Sequence, residues 1–370
     1  MSITWENFSI ENSQQQTKAA QKLKKTAQDI KITNAMPQTT DYLQGKKNFH
    51  IKAPKGSSLS VCASLNEKYI CCNVHVLNTI SNCPFSCSYC FLQNYLNSNT
   101  VSSIGDLEPV LAEIKDRIAQ EPNRLFRIGT WELGDSLATE HLTSQAAELI
   151  KGFTRFKNAI LDLRTKSDNV DSLLSLNHEG KTIISWTISP QAVIDKEEKD
   201  TASLENRLTA MKKVADAGYL ISLHFDPMIL YQNWEADYKE LVKKTFQAVP
   251  GSRIAWISLG SLRFNPEMKK KIKINFPGSK ITAEEMVLGS DGKIRYVKPK
   301  RVKQYQTVYQ AIKNYGSSDI LVHLCMERWD MWEKIFGNRP ESIEELDYLF
   351  AESLFRRFGI FELPDKKRYF

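Results

Sequence analysis

Apolar positions along this chain change their spacing once, near residue 70. Before about residue 55 they are sparse: QQQ, the basic stretch KAAQKLKKTAQDIKI and a polar run ending near Pro54 show little periodicity. That pattern predicts one short basic helix in a loosely packed extension, followed by a lead-in loop. From residue 70 onward, short β-branched or aromatic runs alternate with amphipathic stretches. The runs predict strands at 70–80 (ICCNVHVLNTI), 124–129, 159–164, 182–188, 219–225, 253–259 and 319–325. Between them LEPVLAEIKDRIA, SLENRLTAMKKVADAG and WEADYKELVKKTFQAV carry apolar residues at helical spacing, and Gly218 stands where the second would end.

Strand and helix recur about every 30 residues, the length of a βαβ unit. No glycine-rich nucleotide fingerprint follows the first strand, so the α/β pattern predicts a partial (β/α)6-type TIM barrel rather than a doubly wound open sheet. In such a barrel the chemistry sits at the C-terminal ends of the strands. Residues 280–297 interrupt the repeat with two strand-like runs around Ser290-Asp291-Gly292, a hairpin signal. Two helical stretches, MERWDMWEKIF and SIEELDYLFAESLFRRF, close the chain. The expected organisation is a basic N-terminal extension over 1–60, a barrel over 61–265, and a basic hairpin, last strand and closing helices over 266–370.

Composition narrows the class. The chain has 370 residues, 42% of them hydrophobic and 25% charged, enough for a full core without disulfides and unlike a disordered chain. No apolar run approaches the roughly 20 residues of a membrane-spanning helix, and MSITWENFSIENSQQQ lacks the order of a signal peptide, so the expected address is the cytoplasm, away from membranes. The net charge of +7 is unevenly spread. Residues 1–60 hold nine lysines against four acids, and residues 267–303 hold eleven Lys and Arg against four acids, so the remainder is net negative. Positive charge on two appendages of an acidic barrel points to a polyanionic partner. Seven cysteines without a secretion signal point to metal or redox chemistry.

The strongest motif is SNCPFSCSYCFLQ, in which Cys83, Cys87 and Cys90 have the spacing C-x3-C-x2-C. Zinc normally takes four protein ligands in close pairs, and no fourth with suitable spacing follows; Cys325 and His323 are distant and His75 lies within a predicted strand. Three thiolates on one loop suit three irons of a [4Fe–4S] cluster, with the fourth iron open for a small molecule.

That loop, placed after the first strand of a barrel, resembles the hallmark of radical S-adenosylmethionine enzymes. The resemblance implies a reduced cluster that gives one electron to S-adenosylmethionine, yielding a 5′-deoxyadenosyl radical that abstracts hydrogen. More narrowly, CSYCFLQ, DSLATEHLT, RTKSDNVDSLLSLNHEGKTIISWTIS, DAGYLISLHFDPMI with Trp234, and LRFNP with INFP resemble blocks of the spore photoproduct lyase family in register. The upstream SVCASLNEKYICCNVHVLN resembles an extension of lyase-like relatives. The resemblance covers roughly residues 60–300 and implies a radical S-adenosylmethionine barrel that splits a thymine dimer in DNA, drawing electrons from a donor such as flavodoxin or ferredoxin.

Carried over, the resemblance makes Lys166 the contact to the S-adenosylmethionine carboxylate and Thr187, in place of a serine, a second cofactor contact. Asp226, within FDP, falls where the family approaches the adenosyl group. Two departures stand out. The family's hydrogen-donor cysteine falls at Glu132, and the tyrosine after the third cluster cysteine is Phe91, although Tyr89 is retained. A carboxylate O–H is a poor hydrogen-atom donor, so the expected role of Glu132 is to hold the S-adenosylmethionine ammonium. Cys62, Cys71, Cys72 and Cys325 are the remaining thiols, and Cys71 and Cys72 are the candidate donors; on one strand only one of those two would point inward. Arg295 and Tyr296 lie where an Arg-Tyr pair makes lesion contacts, with Lys298, Lys300 and Arg301 as candidate phosphate contacts. The missing donor thiol keeps open the same chemistry on RNA, a peptide or a small molecule. A non-catalytic iron–sulfur sensor of nucleic acid is the third class.

Overall fold

The β-branched and aromatic runs form eight strands of one curved sheet in the computed structural model, which describes residues 3–62 and 69–370. In chain order they are Leu59–Val61 (β1), His75–Leu77 (β2), Phe126–Gly129 (β3), Ala159–Thr165 (β4), Thr182–Thr187 (β5), Leu220–Met228 (β6), Ile254–Ser261 (β7) and Leu321–Leu324 (β8). Neighbours in sequence are neighbours in space from β1 to β8, and every pairing is parallel except that of β1 with β2. Parallel neighbours require crossovers, and helices such as Gln145–Phe153, Leu204–Asp216 and Trp234–Ala248 supply them. Strands β5 and β7 are buried at every position, as strands covered on both faces must be. Among the described residues the two ends of the sheet are linked by one isolated bridge, where Ile70 N donates to the Glu327 carbonyl at 3.0 Å. This is the partial barrel that the βαβ pattern predicts, with its strand ends on one side.

Two expectations are corrected. The N-terminal residues are not a loosely packed extension. Asn7–Ile10, Lys31–Ile32 and Asn48–Lys52 join Val101–Ile104 and Ile80–Ser81 in a second, five-stranded sheet, and the expected basic helix, Lys18–Thr26, packs with it. Its own core contains Ile10, Ala20, Leu23, Phe49, Ile51 and Val101, with Trp5 edge-on to Phe49 at 5.4 Å. The strands are two to five residues long and their partner Val101–Ile104 comes from beyond the Cys loop, so no local period announces them. The first barrel strand is also shorter than 70–80. Asn73 takes a left-handed conformation (φ 50°), which breaks the period of two and confines the strand to His75–Leu77. Residues 63–68 of the SVCASLNEKYICCNVHVLN segment lie outside the described residues.

The hairpin signal at Ser290-Asp291-Gly292 corresponds to Met286–Leu288 paired antiparallel with Ile294–Tyr296. Among the described residues no helix is long and apolar enough to cross a membrane. Because Phe49 is fully buried in the small N-terminal core, Phe49→Ala should cost about 3–5 kcal/mol. Hydrogen exchange of the Asn48–Lys52 strand is the check; a cost below about 1 kcal/mol would mean the extension is loose after all.

Candidate active site

The Cys loop is shaped by its own backbone and by two distant segments. Asn82 sits in the left-handed region (φ 66°), and its side chain accepts from Cys83 N at 2.8 Å and donates to the Asn99 carbonyl at 2.7 Å. Ser86–Cys87 pairs antiparallel with Glu198–Lys199, and Ser88 N donates to the Glu197 carbonyl at 2.9 Å. Cys83 and Cys87 are buried and Cys90 is half-buried. All three line one cavity of about 520 Å³ at the strand ends, together with Tyr89, Glu132, Lys166, Thr187 and Asp226. Burial pushes the Cys87 thiol up to about 12, against the pull of the Lys166 and Lys46 ammonium groups.

This donor set fits a [4Fe–4S] cluster, which takes one thiolate per iron. Among the described residues no three His, Cys, Asp or Glu side chains converge on a single-ion position. An orphaned polar atom supports the fit: the buried Tyr42 hydroxyl, in the surroundings of Cys83, Cys87 and Cys90, has no hydrogen bond of ordinary geometry. Sequence reasoning missed Tyr42, because it belongs to the N-terminal part and nothing local links it to the loop.

Lys166 follows β4, and its backbone N donates to Asp135 Oδ2 at 2.7 Å. Asp135 also accepts from Thr165 Oγ1 at 2.6 Å and from the backbone of Leu137 and Ala138, so the carboxylate in DSLATEHLT anchors the turn that presents Lys166. The Lys166 ammonium lies 5.5 Å from the Tyr89 ring centre and makes no ion pair among the described residues. Burial works against its charge, but Cys87 and Glu198 outweigh burial and keep it charged. Thr187 ends β5, buried in the cavity wall, and its carbonyl accepts from Arg207 Nη1 at 2.9 Å.

Arg207 and Glu198, which sequence reasoning did not single out, stand behind the cavity wall. Both are fully buried, and Arg207 Nη2 donates to Glu198 at 2.6 Å. Glu198 also accepts from the Tyr89 hydroxyl and from Ser189 Oγ. Burial alone would raise its pKa, but Arg207 and Lys166 hold the carboxylate below its usual range. The one available signal was an Arg on the core-facing side of the helix in SLENRLTAMKKVADAG.

Two further site expectations change. Asp226 lines the cavity, but its carboxylate is held in a two-point ion pair by Arg263 at 3.0 and 3.1 Å. Gly260 permits this placement, since a Cβ there would stand 2.4 Å from the Asp226 carboxyl. Cys71 and Cys72 both line the cavity instead of one facing away, because they precede the strand, which begins only at His75, and do not share its alternation. Cys62 and Cys325 line it as well, and Arg263 Nη2 lies 3.1 Å from Cys325 Sγ.

The candidate nucleic-acid contacts divide. Tyr296 is buried in the hairpin's core, where its hydroxyl accepts from Leu230 N at 3.2 Å. Arg295 and Arg301 are buried in ion pairs with Asp291 and Glu327. None of these three faces solvent, so in this structure the Arg295-Tyr296 pair is turned into the protein and away from a bound duplex. Lys298 and Lys300 lie at the surface in ion pairs with Asp330 and Glu284, which are cheap to exchange for phosphate. Exposed positive charge instead gathers on the helix Met268–Asn275, at Lys269, Lys270, Lys271 and Lys273. That helix docks beside the Cys loop through Lys271 and Asn275, both bonded to Gln93.

An open parallel barrel with a three-cysteine loop at its mouth defines the class of protein. The chain belongs to the spore photoproduct lyase family, whose model matches residues 8–321. Among curated relatives, the spore photoproduct lyase of Bacillus subtilis (strain 168) is 28% identical over 208 residues, 55% of this chain and 61% of that protein. That of Geobacillus sp. (strain Y412MC61) is 27% identical over the same length, so the match spans about three fifths of these relatives. A solved spore photoproduct lyase complexed with dinucleoside spore photoproduct covers 88% of this chain and 100% of its own, with a TM-score of 0.76 and 21% identity. Another, with bound AdoMet and the dinucleoside, gives a TM-score of 0.75 at 20% identity, covering 86% of this chain and 98% of its own. These likenesses establish the fold.

The barrel interior below the mouth is polar, and its histidines are neutral. His323 lines the cavity, and burial followed by Arg127 lowers its pKa to about 3 from the ordinary 6.5. In the unfolded chain it protonates below about 6.5, so its contribution to stability is complete above that pH and is lost as pH falls towards 3. His323→Gln should therefore lower the slope of unfolding free energy against pH by about one proton between pH 4 and 6. Denaturant titrations of parent and variant read this; equal slopes would mean His323 is charged when folded.

Proposed function

We propose that this chain is a radical S-adenosylmethionine enzyme, a carbon–carbon lyase that repairs a methylene-bridged thymine lesion in DNA. The observation that carries the reading is the convergence of three loop thiols and the unpaired Lys166 ammonium on one cavity at the barrel mouth. A [4Fe–4S] cluster on Cys83, Cys87 and Cys90 supplies, when bound, the electron that cleaves S-adenosylmethionine to a 5′-deoxyadenosyl radical. The electron comes from a flavodoxin or ferredoxin, in the cytoplasm.

The protein's own part is binding, orientation and hydrogen return. Lys166 takes the cofactor carboxylate, Glu132 its ammonium, and Thr187 offers a hydroxyl beside them. Asp226, fixed by Arg263, lines the adenosyl side. Cys72 or Cys71 returns a hydrogen atom to the product radical in place of the thiol that Glu132 replaces, and Tyr89, bonded to Glu198, gives the resulting thiyl a hydrogen atom and recovers one from 5′-deoxyadenosine. Lysines of the Met268–Asn275 helix follow the phosphates, and the exposed Val287 and Leu288 of the hairpin provide apolar contact to an unstacked base. The family membership and the dinucleoside named with the solved relatives support this substrate. Glu132 at the usual donor position favours, as a second reading, the same machinery on another substrate.

Anaerobically reconstituted protein with dithionite should convert S-adenosylmethionine to 5′-deoxyadenosine, and Cys87→Ala should abolish this. Lys166→Met should weaken cofactor binding roughly 10–100-fold, the weight of one charge-assisted hydrogen bond. Absence of cleavage in the parent would sink the reading. With a synthetic spore-photoproduct dinucleotide the parent should release thymine dinucleotide, and the Cys71→Ala/Cys72→Ala double variant should divert the product radical to by-products. Cleavage without repair would move the function to the second reading.

A further inference from the structure

We infer that residues 39–46 form a clamp on the Cys loop, in which Tyr42 donates a hydrogen bond to the ligating sulfur of Cys90 and raises the reduction potential of the cluster. This rests on the reading that the loop holds a [4Fe–4S] cluster.

The clamp is built into both segments. The short helix Tyr42–Gly45 begins at Asp41, whose side chain accepts from Gln44 N at 2.8 Å. At Gly45 the chain runs so close to the segment after the loop that a Cβ would stand 2.3 Å from Asn99 Cβ, which only glycine avoids. Asn99 in turn donates to the Thr39 carbonyl at 3.0 Å and accepts from Asn82, the residue that orients Cys83. Lys46, 2% exposed, donates to the Cys83 carbonyl at 2.8 Å and the Phe85 carbonyl at 2.5 Å. Its ammonium also sits 4.7 Å from the Tyr42 ring centre.

This is an unusual use of a lysine. Among the described residues Lys46 has no carboxylate partner, and a buried ammonium without one requires negative charge nearby. Its two hydrogen bonds seat it against the backbone of the loop beside Cys83, where bound thiolates would supply that charge. Tyr42 is buried with its ring edge-on to Phe276 at 6.3 Å. Its orphaned hydroxyl, a phenol donor, lies in the surroundings of Cys90, Cys87 and Cys83, which offers it ligating sulfur as the acceptor. A donor and a cation beside cluster sulfur stabilise the reduced, more negative state more than the oxidised one. Neither is used by the cofactor contacts proposed above.

The test compares Tyr42→Phe with the parent, both reconstituted anaerobically, by potentiometric titration with electron paramagnetic resonance readout. The variant should bind the same iron per chain, yet its ratio of reduced to oxidised cluster at a fixed poise should fall about tenfold, which is 59 mV for one electron. Its metal-free form should melt at the parental temperature, because the hydroxyl has no partner there to lose, while the loaded form should melt lower. Lys46→Met should bind less iron. A parental midpoint in Tyr42→Phe overturns the inference, whether or not iron is lost, and full iron in Lys46→Met removes the clamp. A parent that takes up no [4Fe–4S] cluster overturns the functional reading and the inference with it.

Discussion

The buried ion pair between Glu198 and Arg207 is the constraint on which the mouth of this barrel depends. A carboxylate with no exposed surface costs several kcal/mol unless a cation meets it, and Arg207 does so at 2.6 Å. Around that pair the site assembles from three other places in the chain. Glu198 backs Cys87 through a two-residue ladder, takes the Tyr89 hydroxyl, and adds negative charge near Lys166, while Arg207 fixes the carbonyl of Thr187. Loss of either partner would leave a bare buried charge between the Cys loop and the strand end. The ion pair therefore acts on the Cys loop and the end of β5 together.

The thiols illustrate how a parallel barrel redistributes chemistry. Cysteines 62, 71, 72 and 325 are scattered over more than 260 positions, yet all four border the cavity that takes the three loop cysteines. Strands β1, β2 and β8 lie at the two edges of the sheet, and the Ile70–Glu327 bridge draws those edges together. Residues just beyond the first and last strands thus become neighbours of the mouth. A thiol need not occupy the Glu132 position to face this cavity, because the barrel brings other chain segments to the same wall.

Charge behaves in the opposite way. The run KIRYVKPKRVK reads as the most basic part of the chain, but folding spends Arg295 and Arg301 on buried acids and lays Tyr296 into a core. The exposed positive surface is on KKKIK, one helix earlier, and that helix is tied to the end of the Cys loop. Net charge per segment was legible; which cations remain facing solvent was not, since that depends on where Asp291 and Glu327 arrive.

By itself the sequence determined what depends on local period and spacing. The C-x3-C-x2-C loop, the barrel strands from Phe126 onward, the helices between them and the hairpin at Ser290-Asp291-Gly292 each announce themselves within a dozen residues, because backbone periodicity and turn chemistry are local properties. Lys166 stood out only within a block matching a known family. Tertiary structure alone decided the rest. The N-terminal sheet needs Val101–Ile104 from beyond the Cys loop, Asp226 needs Arg263 and a glycine at position 260, and Tyr42 and Lys46 reach the cysteines across some forty residues. Such pairings lower free energy only once the chain has brought distant groups out of water together, and no window of sequence contains both partners.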